Sequence, residues 1–310
     1  MLTERIGRIS PSATLAMTAK AAELRAAGKP VINLSVGEPD FPTPENIRLA
    51  GKRAIDEGHT RYTPEGGTLE LKKAVVKKLS RDNDLHYDTS QILISCGGKH
   101  SLYNACQALF QSGDEVIIFS PYWVSFPDFV SVTGAKPVFV ITDPAQQFEP
   151  VMDDLKAKIT SRTKGIIINS PSNPTGGVWS DEAVLKVLEI AEKAGAWVFS
   201  DECYEQLTYD RTYISTAMLG ENIEKVLTFQ SCSKTYAMTG WRIGYTAGDE
   251  KVIKAMGKLQ GQSTSCPSSI AQVAAIEALI GDQSEVTIMR NVFKKRRDYI
   301  VSRLNEMNGV

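Results

Sequence analysis

Long apolar runs are missing from this sequence of 310 residues. Its apolar residues come in short stretches such as 116–119 and 165–168, well below the ~20 in a row that a membrane helix needs. A basic excess is missing too. The 35 Lys and Arg stand against 36 Asp and Glu, a formal charge of −1, so nothing favours a phosphate backbone as partner. The start, Met1 to Arg5, carries no apolar core of a secretory signal. Cysteine pairs are absent: Cys96, Cys106, Cys203, Cys232 and Cys266 are odd in number, scattered and without C-x-x-C spacing. His59, His86 and His100 are equally scattered, so all eight residues read as packing positions and no metal is expected. These absences point to a cytoplasmic protein with neither nucleic acid nor membrane as a partner.

What is present suits a large core, with 42% hydrophobic and 23% charged residues and a length that suggests about two domains. Short β-branched runs predict strands at Gln91–Cys96, Glu115–Ser120, Lys136–Thr142, Lys164–Ser170, Ala196–Asp201, Val226–Ser231 and Arg242–Gly248. Helical patterns lie between most of them; at Ser180–Ala194 the serine can cap and Asp181-Glu182 suit the positive helix start. Continuous apolar strands joined by helices predict an α/β fold, a mostly parallel seven-stranded sheet sandwiched by helices. This sheet-bearing domain is expected over 46–285. The ends differ: a helix within Pro11–Lys29 leads to a short strand Val31–Val36, and Ser284–Met307 reads as one long helix. Residues 1–45 plus 286–310 are expected to form a second, smaller α/β domain that looks incomplete.

The chemistry-bearing motifs follow the expected strands. Ser231-Cys232-Ser233-Lys234 leads to Arg242 eight positions after the lysine. A desolvated Lys234 would be a Schiff-base nucleophile, with Ser231, Ser233 and Arg242 as donors to a phosphate. A solvated lysine beside a structurally paired arginine is the competing reading. Asp201, at the end of an apolar strand, sits where α/β sheets bind ligands and can keep a pyridinium nitrogen protonated. Tyr204 could donate to a phenolate oxygen, while Asp201 could equally be only an N-cap. The turn-rich stretch Asn169–Gly176 places Asn173 at the same edge. Gly97-Gly98-Lys99 opens a helix whose free N–H groups favour an anion, without the fingerprint of a nucleotide loop. Trp123 is either core or a stacking plate for a planar ring. Together these supply a lysine, a carboxylate, a phosphate cradle and an aromatic plate, the parts of a pyridoxal-phosphate site.

Along nearly its whole length the chain resembles the fold-type I, class I/II aminotransferases, most closely the aspartate aminotransferases of the prokaryotic subgroup. Gly37–Phe41, Tyr62–Pro64, Gly97–Lys99, Ser120–Ser125, Asn169–Gly176, Ser200–Tyr204, Ser231–Lys234 and Met238–Gly244 carry the likeness. The resemblance implies pyridoxal 5'-phosphate held as an aldimine on Lys234, which later moves the substrate proton. It implies Asp201 on the ring nitrogen, Tyr204 and Asn173 on the phenolate oxygen, and Trp123 stacked on the ring. Gly98, Lys99, Ser231, Ser233 and Arg242 fall where the family holds the phosphate. Tyr62 falls where it reaches the neighbouring subunit's phosphate, which implies a homodimer with shared sites. Gly37 matches a contact to the substrate α-carboxylate, and Lys99 a position that can meet a distal carboxylate. The activity implied is ping-pong transfer of an amino group between L-aspartate and 2-oxoglutarate.

One departure stands out. Family chains continue beyond the position of Val310, and the continuation carries the arginine that pairs with the α-carboxylate. The chain is therefore expected to be either a fragment or a shortened product, with the apolar faces of Val31–Val36 and Ser284–Met307 uncovered. The alternatives to aspartate transamination are a catalytically disabled cofactor-binding protein and an aminotransferase of the same fold acting on aromatic or prephenate substrates.

Overall fold

The computed structural model describes residues 2–11, 13–220 and 224–309. One sheet organises them. Its strands are β1 (Ile92–Ser95), β2 (Glu115–Ser120), β3 (Lys136–Asp143), β4 (Glu149–Pro150), β5 (Thr163–Asn169), β6 (Trp197–Asp201), β7 (Val226–Ser231) and β8 (Gly244–Ala247). They lie in the order β1-β8-β7-β6-β5-β2-β3-β4. The run β7-β6-β5-β2-β3 is parallel. β8 is antiparallel to both β1 and β7, and β4 to β3.

All seven expected strands are present, each end within two residues of its expected place. The eighth strand, β4, is two residues long and has no apolar run to announce it. In β2, Val116 and Ile118 enter one apolar cluster, while Ile117 and Phe119 enter the other. Successive strand residues point to opposite faces, so burial of both sets means that helices cover the sheet on both sides. One layer contains Glu45–Asp56, Leu69–Asn83, Asp181–Ala194 and Ser269–Ile280; the other contains Gly98–Leu109 and Glu250–Gly261. Helix Asp181–Ala194 starts as its sequence predicts, with Ser180 Oγ accepting from the Ala183 N–H at 3.2 Å. Such a cap contributes about 1 kcal/mol.

The expected strand Val31–Val36 does not form. A strand exists through its ladder, and the described residues offer this segment no neighbouring strand; Ile32 and Leu34 are 87% and 91% exposed. The preceding helix covers Ala13–Ala26, and Gly28 takes the positive φ of +75° that ends it. The last helix, Ser284–Asn305, buries only Val286 and Met289, while Tyr299, Ile300, Val301 and Met307 are exposed. No helix among the described residues is long and apolar enough to cross a membrane.

Candidate active site

β1, β2, β5, β6 and β7 all point the same way, so Ser95, Ser120, Asn169, Asp201 and Ser231 end at one edge of the sheet. This is the edge where α/β sheets bind ligands. A cavity of about 440 Å³ opens there. A second cavity of similar volume, beside Leu188 and Lys225, lies at the opposite, amino ends of β6 and β7. It brings none of the predicted site residues together.

Lys234 enters the first cavity from a four-residue helix, Cys232–Thr235, that follows β7 directly. Ser231 Oγ starts that turn by accepting from the Ser233 N–H at 3.0 Å. Lys234 Nζ donates to the carbonyl of Gly37. Arg242 donates to the carbonyls of Thr239 at 2.8 Å and Cys96 at 3.3 Å. Neither cation pairs with a carboxylate among the described residues, so the competing reading of a structural ion pair is not what the fold builds. Arg242 packs on the glycine turn. A Cβ on Gly97 would lie 2.3 Å from its guanidinium, and φ there is +91°. Gly98 then opens helix Gly98–Leu109 with its N–H groups toward the cavity edge. Lys99 Nζ lies 5.0 Å from the centre of the Trp123 ring. Desolvation and then the Arg242 charge hold the Lys99 ammonium below its ordinary value, with Asp128 opposing.

Asp201 supplies the opposite charge. It is 7% exposed, and its Oδ1 accepts from the Cys203 N–H at 3.2 Å. That bond closes a turn but caps no helix, since the next one, Glu205–Leu207, has Tyr204 at its N-cap, so the N-cap reading does not hold; among the described residues no cation pairs with this buried carboxylate. Burial pushes the Asp201 carboxyl up to about 7, against the Cys203 hydrogen bond. Asn169 Nδ2 donates to the Asp201 carbonyl at 3.1 Å, and its Oδ1 accepts from the Asn173 N–H at 2.8 Å. The Asn173 side chain in turn hydrogen-bonds Tyr204, whose phenol is pushed up by burial and so stays a neutral donor. Trp123 borders the cavity as a plate wedged edge-on against Phe126 (5.4 Å, 90°) and Phe129 (5.7 Å, 75°).

Gly37, Gly98, Lys99, Trp123, Asn173, Asp201, Tyr204, Ser231, Ser233, Lys234 and Arg242 thus all line one cavity. Tyr62 does not; it is 90% exposed on the surface of the chain. Asn169, Cys203 and Thr239 also line the cavity and were not singled out from the sequence. Asn169 was findable: it ends β5 directly opposite Asp201 in the ladder.

The profile of the family described as aminotransferase class I and II matches residues 29–310. The chain belongs to the class I and II aminotransferases. It is 47% identical to an aspartate/prephenate aminotransferase of Cereibacter sphaeroides, covering 100% of this chain and 78% of that protein. It is 45% identical to an aspartate aminotransferase of Bacillus subtilis, covering 99% and 79%. Among solved structures, the Thermus thermophilus aspartate aminotransferase with maleate superimposes with a TM-score of 0.96 at 40% identity, covering 99% of this chain and 80% of that one.

Membership of these aminotransferases implies pyridoxal phosphate, and the cavity's own chemistry fits it. Lys234, Lys99 and Arg242 make a cationic cradle beside a helix start, which suits a phosphate. Asp201, buried and with no cation among the described residues, suits a protonated ring nitrogen. Trp123 lines the same cavity with a ring that suits a planar partner.

Proposed function

We propose that this aminotransferase moves the amino group between L-aspartate and 2-oxoglutarate, with pyridoxal phosphate bound covalently at Lys234. The observation that carries the reading is the convergence of Lys234, a buried unpaired Asp201 and the Arg242 cradle in one cavity. The cofactor supplies an aromatic electron sink. Asp201 holds the ring nitrogen protonated, and Asn173 and Tyr204 donate to the phenolate oxygen. Gly98, Ser231, Ser233 and Arg242 bind the phosphate, and Trp123 fixes the plane of the ring. The Lys234 amine would be the base that takes and returns the substrate's Cα proton. Gly37 faces the substrate α-carboxylate. Lys99, at the cavity edge over Trp123, meets the distal carboxylate and also borders the phosphate. The reading includes a homodimer in which Tyr62, exposed here, reaches the partner's phosphate, and a division into 46–285 and the two flanking segments.

Absorbance spectra of the 310-residue chain test this. Adding pyridoxal phosphate should give a yellow species that aspartate converts to the pyridoxamine form with release of oxaloacetate. Lys234→Ala should keep phosphate-dependent binding and lose turnover altogether. A wild-type spectrum that aspartate leaves unchanged overturns the aspartate reading. Return of the pyridoxamine form to the yellow form by prephenate, an oxo acid that accepts the amino group, would move the chain toward the Cereibacter sphaeroides relative named above.

A further inference from the structure

Lys234 is held by a residue from the far amino-terminal part of the chain, 197 positions away, through the Gly37 carbonyl. Upstream the hold is light: 31–36 forms no strand, Ile32 and Leu34 are exposed, and Ser35 reaches helix Ala13–Ala26 through one hydroxyl contact with Thr18 at 3.3 Å, while Arg25 holds the Val31 carbonyl. A firmer hold comes from downstream. Glu38 accepts from the Thr239 hydroxyl. Two residues on, Asp40 takes a two-pronged bond from Arg296 of helix Ser284–Asn305, at 2.7 and 3.1 Å. The same guanidinium lies 5.1 and 5.7 Å from the centres of the Phe41 and Phe293 rings, which themselves meet edge-on at 5.2 Å. Helix Ser284–Asn305 is anchored in turn. Arg290 donates to the Thr208 carbonyl at 2.7 Å, and Arg297 pairs with Asp210 at 2.7 and 3.1 Å.

We infer that Asp40 and Arg296 are positioning residues: their clamp fixes 37–41 so that the Gly37 carbonyl holds Lys234 and controls access to its amine. The inference rests on Lys234 as the reactive amine. The side chains of Arg296 and Asp40 are 49% and 65% exposed, and exposed pairs contribute only about 0–1 kcal/mol to folding. Removing the clamp should therefore loosen one strap without loosening the molecule.

The test uses the full chain without cofactor. Acetic anhydride acylates only unprotonated, accessible amines, and peptide mass spectrometry reads each lysine separately. Arg296→Ala should speed acylation of Lys234 by roughly two- to tenfold, the range for one lost hydrogen bond. Lys99, in the same cavity but on helix Gly98–Leu109, should keep its wild-type rate, and Tm should not move. The charge-swapped double variant Asp40→Arg/Arg296→Asp should restore slow labelling of Lys234. An unchanged Lys234 rate overturns the inference, and so does an equal rise at Lys99 or a fast rate in the swapped variant. Failure of the wild-type chain to take up pyridoxal phosphate is a separate result, which would instead overturn the cofactor reading.

Discussion

Asn169 is tied to Asp201 by a hydrogen bond from its side-chain amide to the Asp201 carbonyl, 3.1 Å long, across the ends of two parallel strands. The same side chain accepts from the Asn173 N–H at 2.8 Å. One residue therefore sets both the carboxylate proposed for the ring nitrogen and the loop carrying Asn173. Each such bond is worth about 1 kcal/mol net, so Asn169→Ala should weaken pyridoxal phosphate binding about tenfold or more. Fluorescence titration reads this directly, and an unchanged Kd would mean that the two loops are placed without it.

Gly244 is the point where β8 meets the glycine turn. A Cβ there would sit 2.2 Å from the Gly98 nitrogen and 2.5 Å from the Gly97 carbonyl carbon, both backbone atoms that cannot rotate aside. Gly244→Ala should push the start of helix Gly98–Leu109 out of place. The expected outcome is a loss of affinity for inorganic phosphate and for pyridoxal phosphate alike, measured by competition titration. Equal binding by wild type and variant would show that this helix start does not hold the phosphate.

Asp201 makes stability depend on pH in a specific direction. Its carboxyl rises from the ordinary 3.8 to about 7 in the folded chain. Between those values the folded state keeps a proton that the unfolded state has released, so this group's contribution is full below the unfolded value and is lost as pH rises through about 7. Glu202, fully buried beside it, is also pushed up to about 7 by burial and then by Glu205. Asp201→Asn removes one of the two. Denaturant melts of the cofactor-free chain should show the variant gaining stability relative to wild type as pH is raised across this range. A difference that stays flat with pH would contradict the environment described for Asp201.

Lys78 is 1% exposed, and it pairs with Glu205 while donating to Asn83 and Gln230, each at 2.8 Å. Glu205 also accepts from Asn83 at 2.6 Å and from Gln230 at 2.8 Å. Removing one member of such a buried pair strands the other charge, so Lys78→Met should cost about 3–5 kcal/mol. The double variant Lys78→Met/Glu205→Leu leaves no stranded charge and should recover a large part of that loss in equilibrium unfolding. A double variant as unstable as the single would show that the surrounding amides, rather than the charge, set the cost.

The readable parts of the chain share one property: their signal is local. β2 has the ends expected of it because its core is a single apolar run, and Ser180 caps its helix through an N–H three residues away. Lys234, Asp201 and Gly98 are legible as cavity-lining candidates because each ends a strand or follows one within a few positions. Val31–Val36 misled for the converse reason: its apolar residues have strand-like composition, but a strand needs a neighbour, and composition does not say whether one is there. The antiparallel direction of β8 was equally invisible, since an apolar run looks the same read either way.

The sequence by itself determined the α/β class, the family and most of the residues that line the candidate cavity, because periodicity, capping and strand-end motifs act over a few residues. Only the tertiary structure decided how those parts meet. It placed Gly37 against Lys234 and Asp40 against Arg296, pairs 197 and 256 positions apart. Among the described residues it also left Asp201 buried without a cation, and Lys234 and Arg242 without a carboxylate. Those states depend on which strands are neighbours and which loops are buried, and both follow from the order of the sheet.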